Sequence, residues 1–338
     1  MMIEIAITFL ISFFACLFLT KIFIDLFYRN DIIALDLHKK DKPRVANSGG
    51  VPVMFSAVLG LMFFIAYQVF VHNSQENLVY LFAALLTVLL IGLVGFFDDL
   101  NCKEVIEGKS EIRKGLKQWQ KPLLTLIAAI PLMVVRAGNT TMTLPIFGPV
   151  DFGLAYPLFI VPFSVMIAAN VVNMLGGFNG SEAGMGSVYF FSLGVFALLM
   201  GRTITAAIYF SMLGALLAFL KYNWPPAKIL SGDSIQYVMG AAVISGAIIG
   251  DMERAAFIVL IPFFIEALLK LRSGLKASCL GKLRKDGKLK PPYGRKIYSW
   301  THIIMNLGKF TEKQVTIALI LLEAVFCFLL FIYLYLII

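Results

Sequence analysis

Residues 78–101 read LVYLFAALLTVLLIGLVGFFDDLN. The first twenty, 78–97, carry no charge and are largely apolar, and the run then meets two adjacent carboxylates, Asp98 and Asp99. About 20 such residues make a helix long enough to cross the roughly 30 Å hydrocarbon core of a bilayer. A carboxylate pair inside lipid is costly, whereas at the membrane surface it can form a working site.

The same pattern recurs outward from this segment. Of the 338 residues, 59% are hydrophobic and 14% charged, against about a half and a quarter in soluble domains. Ten spans are predicted, at about 3–25, 49–71, 78–97, 121–136, 155–173, 183–200, 204–221, 234–249, 254–270 and 314–338. The expected fold class is an all-α polytopic membrane protein of about ten transmembrane helices with active-site loops in the cytoplasm. The connections 72–77, 200–203 and 250–253 are so short that the helices flanking them must form hairpins. The first span is too long for a secretory signal, lacks a basic start and shows no small-residue cleavage pattern, so it is expected to remain a helix. Neither an internal repeat nor a separate soluble domain is visible. Residues 1–338 read as one integral membrane domain, with 271–313 as a basic loop within it.

Charge gives the orientation. One alternate set of loops, with adjoining span ends, holds 26 of the 29 Lys and Arg, leaving only Arg136, Arg202 and Arg254 on the other side. That bias places the basic side in the cytoplasm and both termini outside. The net charge of +9 is therefore a topology signal, and it also suits anionic headgroups and anionic substrates. Cys16, Cys102, Cys279 and Cys327 show neither metal nor disulfide spacing. The triplet Asn139-Thr140-Thr141 fits an N-glycosylation acceptor on the outer side.

The chemically informative residues collect on the basic side. The first loop, DLHKKDKPRVANSGGVPV at 36–53, contains Pro43 and a Ser-Gly-Gly run that forbid a long helix and permit close backbone approach to a ligand. Asp98 and Asp99 end a helix, where the partial negative charge disfavours acids. Lys103, Lys109, Arg113, Lys114, Lys117 and Lys121, or a metal ion, are the expected compensation. Residues 109–120 alternate basic and apolar side chains, as a helix lying on the headgroups would. Residues 168–184, AANVVNMLGGFNGSEAG, bring Asn170 and Asn173 to one helix face and follow them with a Gly-Gly stop and the Asn179-Gly180 turn. Asp233, after Gly232, reads as a helix N-cap. The segment 271–298 is rich in Lys and Arg and reads as a phosphate clamp or a solvated basic loop.

Together these residues offer carboxylates, amides and cations at one membrane face. Mg²⁺ takes oxygen ligands, typically one or two carboxylates completed by water and substrate phosphates. Phosphoryl transfer relies on positioning and charge neutralisation. No GxxxxGK[ST] loop is present, so nucleotide hydrolysis of that kind is unsupported. The reading from residues alone is a Mg²⁺-dependent enzyme acting on a phosphate at the cytoplasmic membrane surface, with no nucleic-acid partner.

In this order the motifs DLHKKDKPRVANSGG, GFFDDLN, NVVNMLGGFNGSEAG and NWPPAKILSGDS resemble the polyprenyl-phosphate N-acetylhexosamine-1-phosphate transferase family. The likeness is greatest to its eukaryotic and archaeal branch, which makes the first lipid-linked sugar of N-glycosylation. The resemblance implies ten transmembrane helices and a cytoplasmic active site. It implies transfer of GlcNAc-1-phosphate from UDP-GlcNAc to dolichyl phosphate or another polyprenyl phosphate, releasing UMP. It also implies Mg²⁺, with Mn²⁺ as its substitute, and a homodimer in the cell membrane of an archaeon or the endoplasmic reticulum of a eukaryote. Asn173 and Asp233 match the metal-binding pair. Asp98 and Asp99 match the acidic pair assigned to lipid-phosphate deprotonation or to positioning. Lys121 matches a phosphate-contacting Lys, Asn179 matches the uracil-reading Asn, and Asn170 lines the same face. The last loop departs from the family's Arg-His-Arg cluster and has no His before His302. Arg272, Lys276, Lys282 and Arg284 are the expected substitutes. Two further readings stand beside this one: the same chemistry with another UDP-N-acetylhexosamine on undecaprenyl phosphate, and a membrane transporter.

Overall fold

The computed structural model describes residues 2–100, 115–144 and 147–337. The chain runs α1 (Met2–Arg29), β1 (Ile33–Leu35), β2 (Arg44–Ala46), α2 (Gly50–Phe70), α3 (Leu78–Leu100), α4 (Gln120–Ile127) and α5 (Ile130–Val134). It continues with β3 (Thr141–Leu144), β4 (Gly148–Asp151), a π-helical turn (Tyr156–Ile160) leading into α6 (Val161–Val172), α7 (Ser181–Leu199), α8 (Thr203–Asn223) and α9 (Gly232–Gly250). The last elements are α10 (Glu253–Leu271), β5 (Lys282–Leu283), β6 (Leu289–Lys290), α11 (Trp300–Leu307) and α12 (Glu312–Ile337). The strands form three separate antiparallel hairpins, so the architecture is helical.

Among the described residues seven helices are long and apolar enough to cross a membrane: α1, α2, α3, α7, α8, α9 and α12. The other three predicted spans correspond to less regular elements. Residues 121–136 become α4 and α5, with a break between them before Pro131. Residues 155–173 begin as the π-helical turn, and α10 has helical length but carries Glu253, Arg254, Glu266 and Lys270. The predicted hairpins form, since only residues 71–77, 200–202 and 251–252 separate their helices. Lys103, Lys109, Arg113, Lys114 and Cys102, with most of the 109–120 stretch, lie outside the described residues.

The core is arranged around α9, which packs on α2, α3, α6, α7, α8 and α10. Its apolar stretch is 83% buried, against 28% for α1 and 33% for α12, so α9 is the axis and α1 and α12 are peripheral. Small residues permit this enclosure. A Cβ on Gly240 would lie 2.7 Å from both the Ala168 carbonyl oxygen and the Ala169 Cα, so α6 and α9 meet there backbone to backbone. Phe14 and Phe18 on α1, and Leu321, Val325 and Phe328 on α12, remain exposed, as a lipid-facing surface requires.

The first loop is more ordered than a flexible connector. Strands β1 and β2 pair Ile33 with Ala46 and Leu35 with Arg44. Beyond them, residues 46–50 run alongside 229–231: Leu230 N–H donates to Ala46 O at 2.8 Å, Gly49 N–H to Leu230 O at 3.0 Å and Gly50 N–H to Ser231 O at 3.1 Å. This backbone zipper brings the start of α2 against the start of α9. The C-terminal ends of α3 and α6 converge on the same place.

Candidate active site

Asp99 lies at the end of α3, where a carboxylate opposes the helix's own dipole. The start of α9 resolves that conflict. Asp99 Oδ1 accepts from Asp233 N–H at 2.7 Å, and Oδ2 accepts from Ser234 N–H at 3.2 Å and from Ser48 Oγ at 2.9 Å. The N–H groups that a helix start leaves without internal partners are thus satisfied by a side chain 134 positions earlier in sequence. Gly232 makes the approach possible: its φ is +67°, and a Cβ there would lie 2.8 Å from the Asp99 carboxyl carbon.

This arrangement corrects one sequence expectation. Asp233 is not the N-cap of α9; Ser231 holds that position, and no side chain of its own caps the helix. Because Asp99 takes the N–H groups, the Asp233 carboxylate is turned elsewhere. Lys121 Nζ, from the second residue of α4, donates to Asp233 Oδ2 at 3.2 Å, and Asn173 Nδ2, at the end of α6, approaches the same oxygen at 3.5 Å. Lys121 also forms an ion pair with Asp98, whose Oδ1 accepts from Leu116 N–H at 2.6 Å. Asp98 and Asp99 are buried, whereas the side chains of Asp233 and Lys121 keep 34% and 15% exposure. Asp233 and Lys121 are therefore the charges that face outward.

Asn170 plays a supporting part. Its Nδ2 donates to Thr125 Oγ1 at 2.8 Å, and Thr125 Oγ1 donates to Lys121 O at 3.0 Å, so α6 sets the turn of α4 that carries Lys121. The structure thus joins Asp98, Asp99, Lys121, Asn173 and Asp233 in one cluster, with Asn170 behind it, all from a single chain. Asn179 sits in an adjoining buried cluster, where its Nδ2 donates to Asp36 Oδ2 at 2.8 Å.

The four loop cations stand apart from these contacts. Arg284 Nε pairs with Asp286 at 3.2 Å, Arg272 Nη1 reaches Ile297 O at 3.3 Å, and Lys276 and Lys282 are exposed. His302 is buried with both ring nitrogens engaged: Nδ1 accepts from Tyr298 N–H at 3.1 Å, and Nε2 donates to Ser278 O at 3.0 Å. Burial holds its pKa below the ordinary imidazole value, and the ring acts as a staple of the loop.

Several residues of the site region escaped the sequence reading. Ser48 completes the shell of Asp99. Lys270 donates to Met174 O, next to Asn173, and Cys279 Sγ donates to the same carbonyl at 3.2 Å. Glu182, fully inside the protein, accepts from Gly177 N–H at 2.6 Å, Ser181 Oγ at 2.8 Å and Ser231 Oγ at 3.3 Å. It therefore ties the turn after Asn173 to the residues before Asp233. Its signal was an acid in the first turn of an otherwise apolar helix.

Three carboxylates meet here beside Lys121 and the positive end of α9, and carboxylate oxygens of this kind suit a hard divalent ion. Among the described residues Asn173 Oδ1 is buried without a hydrogen-bond partner, and such an amide oxygen beside a carboxylate is a fitting pair of hard oxygen donors. Among the described residues no cluster of three His, Cys, Asp or Glu makes a complete cage. An ion held here would need substrate oxygens and water to complete its shell.

Residues 81–251, which include every member of the central cluster, match the model of glycosyl transferase family 4. A protein of Saccharolobus solfataricus, provisionally named UDP-N-acetylglucosamine–dolichyl-phosphate N-acetylglucosaminephosphotransferase, is 33% identical over 94% of this chain and 92% of its own. Its namesake in Sulfolobus acidocaldarius is 31% identical over 95% and 93%. The phospho-N-acetylmuramoyl-pentapeptide-transferase of Limosilactobacillus fermentum is 30% identical over 68% of each chain. The match spans the cluster that joins α3, α4, α6 and α9, and the chain belongs to glycosyl transferase family 4.

Proposed function

We propose that this integral membrane protein transfers GlcNAc-1-phosphate from UDP-GlcNAc to dolichyl phosphate or a similar polyprenyl phosphate at the cytoplasmic membrane surface. An oxygen of the lipid phosphate attacks the phosphorus that carries the sugar. The bond from that phosphorus to the bridging oxygen breaks, and UMP leaves with the bridging oxygen. The product is a lipid-linked pyrophosphoryl-GlcNAc, the first intermediate of lipid-linked oligosaccharide synthesis. The observation that carries this reading is Asp233, flanked by Lys121 and by Asn173 with its unpartnered Oδ1.

Asp233 and Asn173 would hold Mg²⁺, which supplies neutralisation of the phosphate charge when bound. Lys121, held between Asp98 and Asp233, neutralises further phosphate charge and orients it. For the acidic pair the contacts favour positioning. Asp99 has both oxygens engaged at the start of α9, and Asp98 orients Lys121. A phosphate monoester loses its second proton with a pKa of about 6, so the lipid nucleophile is largely dianionic at neutral pH and needs no base.

The test is direct. Detergent-purified protein, radiolabelled UDP-GlcNAc, dolichyl phosphate and Mg²⁺ are expected to give lipid-extractable label and equimolar UMP, both lost with EDTA. UMP release from another UDP-N-acetylhexosamine alone would move the sugar assignment. No product from any nucleotide sugar, with folded protein, would overturn the reading.

A further inference from the structure

A helix leaves its last carbonyls without partners of its own. At the end of α6 this stretch includes Asn173, which follows the last helical residue, Val172. Side chains from other elements hold it. Gln236 of α9 donates from Nε2 to Val172 O at 3.3 Å and to Leu175 O at 2.8 Å. Between these carbonyls, Met174 O accepts from Lys270 of α10 and from Cys279 Sγ, the latter at 3.2 Å. Asn173 therefore lies in backbone that one amide clasps on both sides.

The clasp is buried and closely fitted. Gln236 is 4% exposed, and a Cβ on Gly176 would lie 3.0 Å from its Cδ and 2.7 Å from Glu182 Oε1. The turn after Asn173 has room for the amide because residue 176 is glycine. Gln236 also lies three residues after Asp233, on the same face of α9. Of the three side chains that hold the turn, Gln236 alone comes from the helix that bears Asp233. That helix thus grips the backbone of Asn173, whose Nδ2 approaches Asp233 Oδ2 at 3.5 Å.

We infer that Gln236 is a positioning residue for the divalent ion, fixing the spacing of Asn173 and Asp233 and so setting how tightly the pair binds metal. The inference rests on the reading of these two residues as ligands. Mg²⁺ demands near-ideal octahedral geometry with ligands at about 2.0–2.1 Å, so a small slip of α6 against α9 is felt as lost affinity. Two bonds donated to backbone hold the spacing and leave both ligand side chains free for the ion.

The experiment measures Mn²⁺ binding to the detergent-purified full chain by electron paramagnetic resonance, with UMP present to complete the ion's shell. Gln236→Met keeps the volume and removes the donor. Mn²⁺ affinity is expected to fall about tenfold or more, the usual cost of losing a group that orients a metal ligand. Half-saturating Mg²⁺ in the transfer assay should rise by the same factor, while KM for UDP-GlcNAc at saturating Mg²⁺ moves little. Tyr209→Phe is the control for a purely structural bond, since the Tyr209 hydroxyl donates to Val243 O of α9 at 2.9 Å. It should lower the melting temperature and leave Mn²⁺ affinity unchanged.

Folded Gln236→Met with wild-type Mn²⁺ affinity would overturn the assignment. If that variant does not fold, Gln236→Asn takes its place with the same expectation, because its amide is one methylene too short for both carbonyls. Failure of both to fold would make Gln236 a structural residue and overturn the assignment as well. Folded wild type that binds no Mn²⁺ would bring down the metal reading of Asn173 and Asp233, and the inference with it. Wild type that binds Mn²⁺ but makes no lipid product, with affinity lost in Gln236→Met, would support the inference and overturn only the transferase reading.

Discussion

Helix α9 carries the same dipeptide at both ends, Gly232-Asp233 and Gly250-Asp251, and the two aspartates have opposite circumstances. Asp233 stands in the first turn, where the helix dipole favours a carboxylate. Asp251 follows the last turn with φ +55°, beside the negative end of the helix. Its partner is Arg202 at 3.9 Å, and both side chains are nearly half exposed, a kind of pair that contributes about 0–1 kcal/mol. Around Asp251 lies an open cavity of about 470 Å³, lined also by Asn77, Asn139 and Thr203. Around Asp233 lie a Lys, an Asn with an orphaned oxygen and a second acid that caps the helix in its place. The comparison teaches that the dipeptide does not make the site. What makes it is an acceptor brought from another helix, which lets the Asp233 carboxylate turn toward Lys121 and Asn173.

The largest expected effect separates the two ends. Asp233→Asn should lower turnover by about 10³-fold or more, on the scale of losing a preorganised electrostatic group, with little change in melting temperature. Asp251→Asn should leave turnover within about twofold, as surface substitutions generally do. Equal losses at both ends, measured as UMP release, would break the comparison. Next comes Lys121→Met, expected to cost about 10²-fold in kcat/KM, within the usual range for removing one charge-stabilising donor. Lys121→Arg should restore little of this, because a planar guanidinium does not replace a compact ammonium between two carboxylates.

Asp99→Ala should show both a structural and a functional loss. It removes hydrogen bonds to an ionised acceptor, worth about 1.5–3 kcal/mol each at most, and so should lower thermal stability along with activity. Stability unchanged and activity lost would mean that Asp99 meets the substrate itself. Among the loop cations, Lys276→Ala with Lys282→Ala should raise KM for the nucleotide sugar by no more than about threefold, the effect of weak, solvent-screened charges. The smallest effect concerns pH. His302 is held neutral by burial, so its folded pKa lies below the unfolded value of about 6.5. The folded loop then binds fewer protons than the unfolded chain, and stability should fall as pH drops from about 6.5 through the folded value. Thermal melts across that range, with His302→Gln as the insensitive control, would show it.

Much of the fold was legible because apolar runs are a one-dimensional signal. The helices α2 and α3, α7 and α8, and α9 and α10 were paired by loop length alone. Asp98, Asp99, Lys121, Asn173 and Asp233 were legible because each ends or begins a predicted span on the basic side. What could not be read was the partner of each. Asp233 looked like an N-cap because nothing local revealed Asp99 as the acceptor. The turn of Arg284 with Asp286 could not be read because the strands that flank it are only two residues long. His302 was given no role in the sequence reading, because nothing local showed that its ring nitrogens close contacts within the loop.

The zipper between residues 46–50 and 229–231 has a consequence for biogenesis. Its two sides lie roughly 180 residues apart, so at about 5–20 residues per second the ribosome needs on the order of 10–40 s between emitting one and the other. Through that interval the N–H groups of Gly49 and Gly50 lack their partners, the carbonyls of Leu230 and Ser231, and the first loop must wait in water. Nascent chains that stop before residue 229 would hold most of their spans in the bilayer and still lack a capped α9, an oriented Lys121 and a complete site. Assembly of the catalytic face is thus a late event in synthesis, although its first residues are among the earliest made.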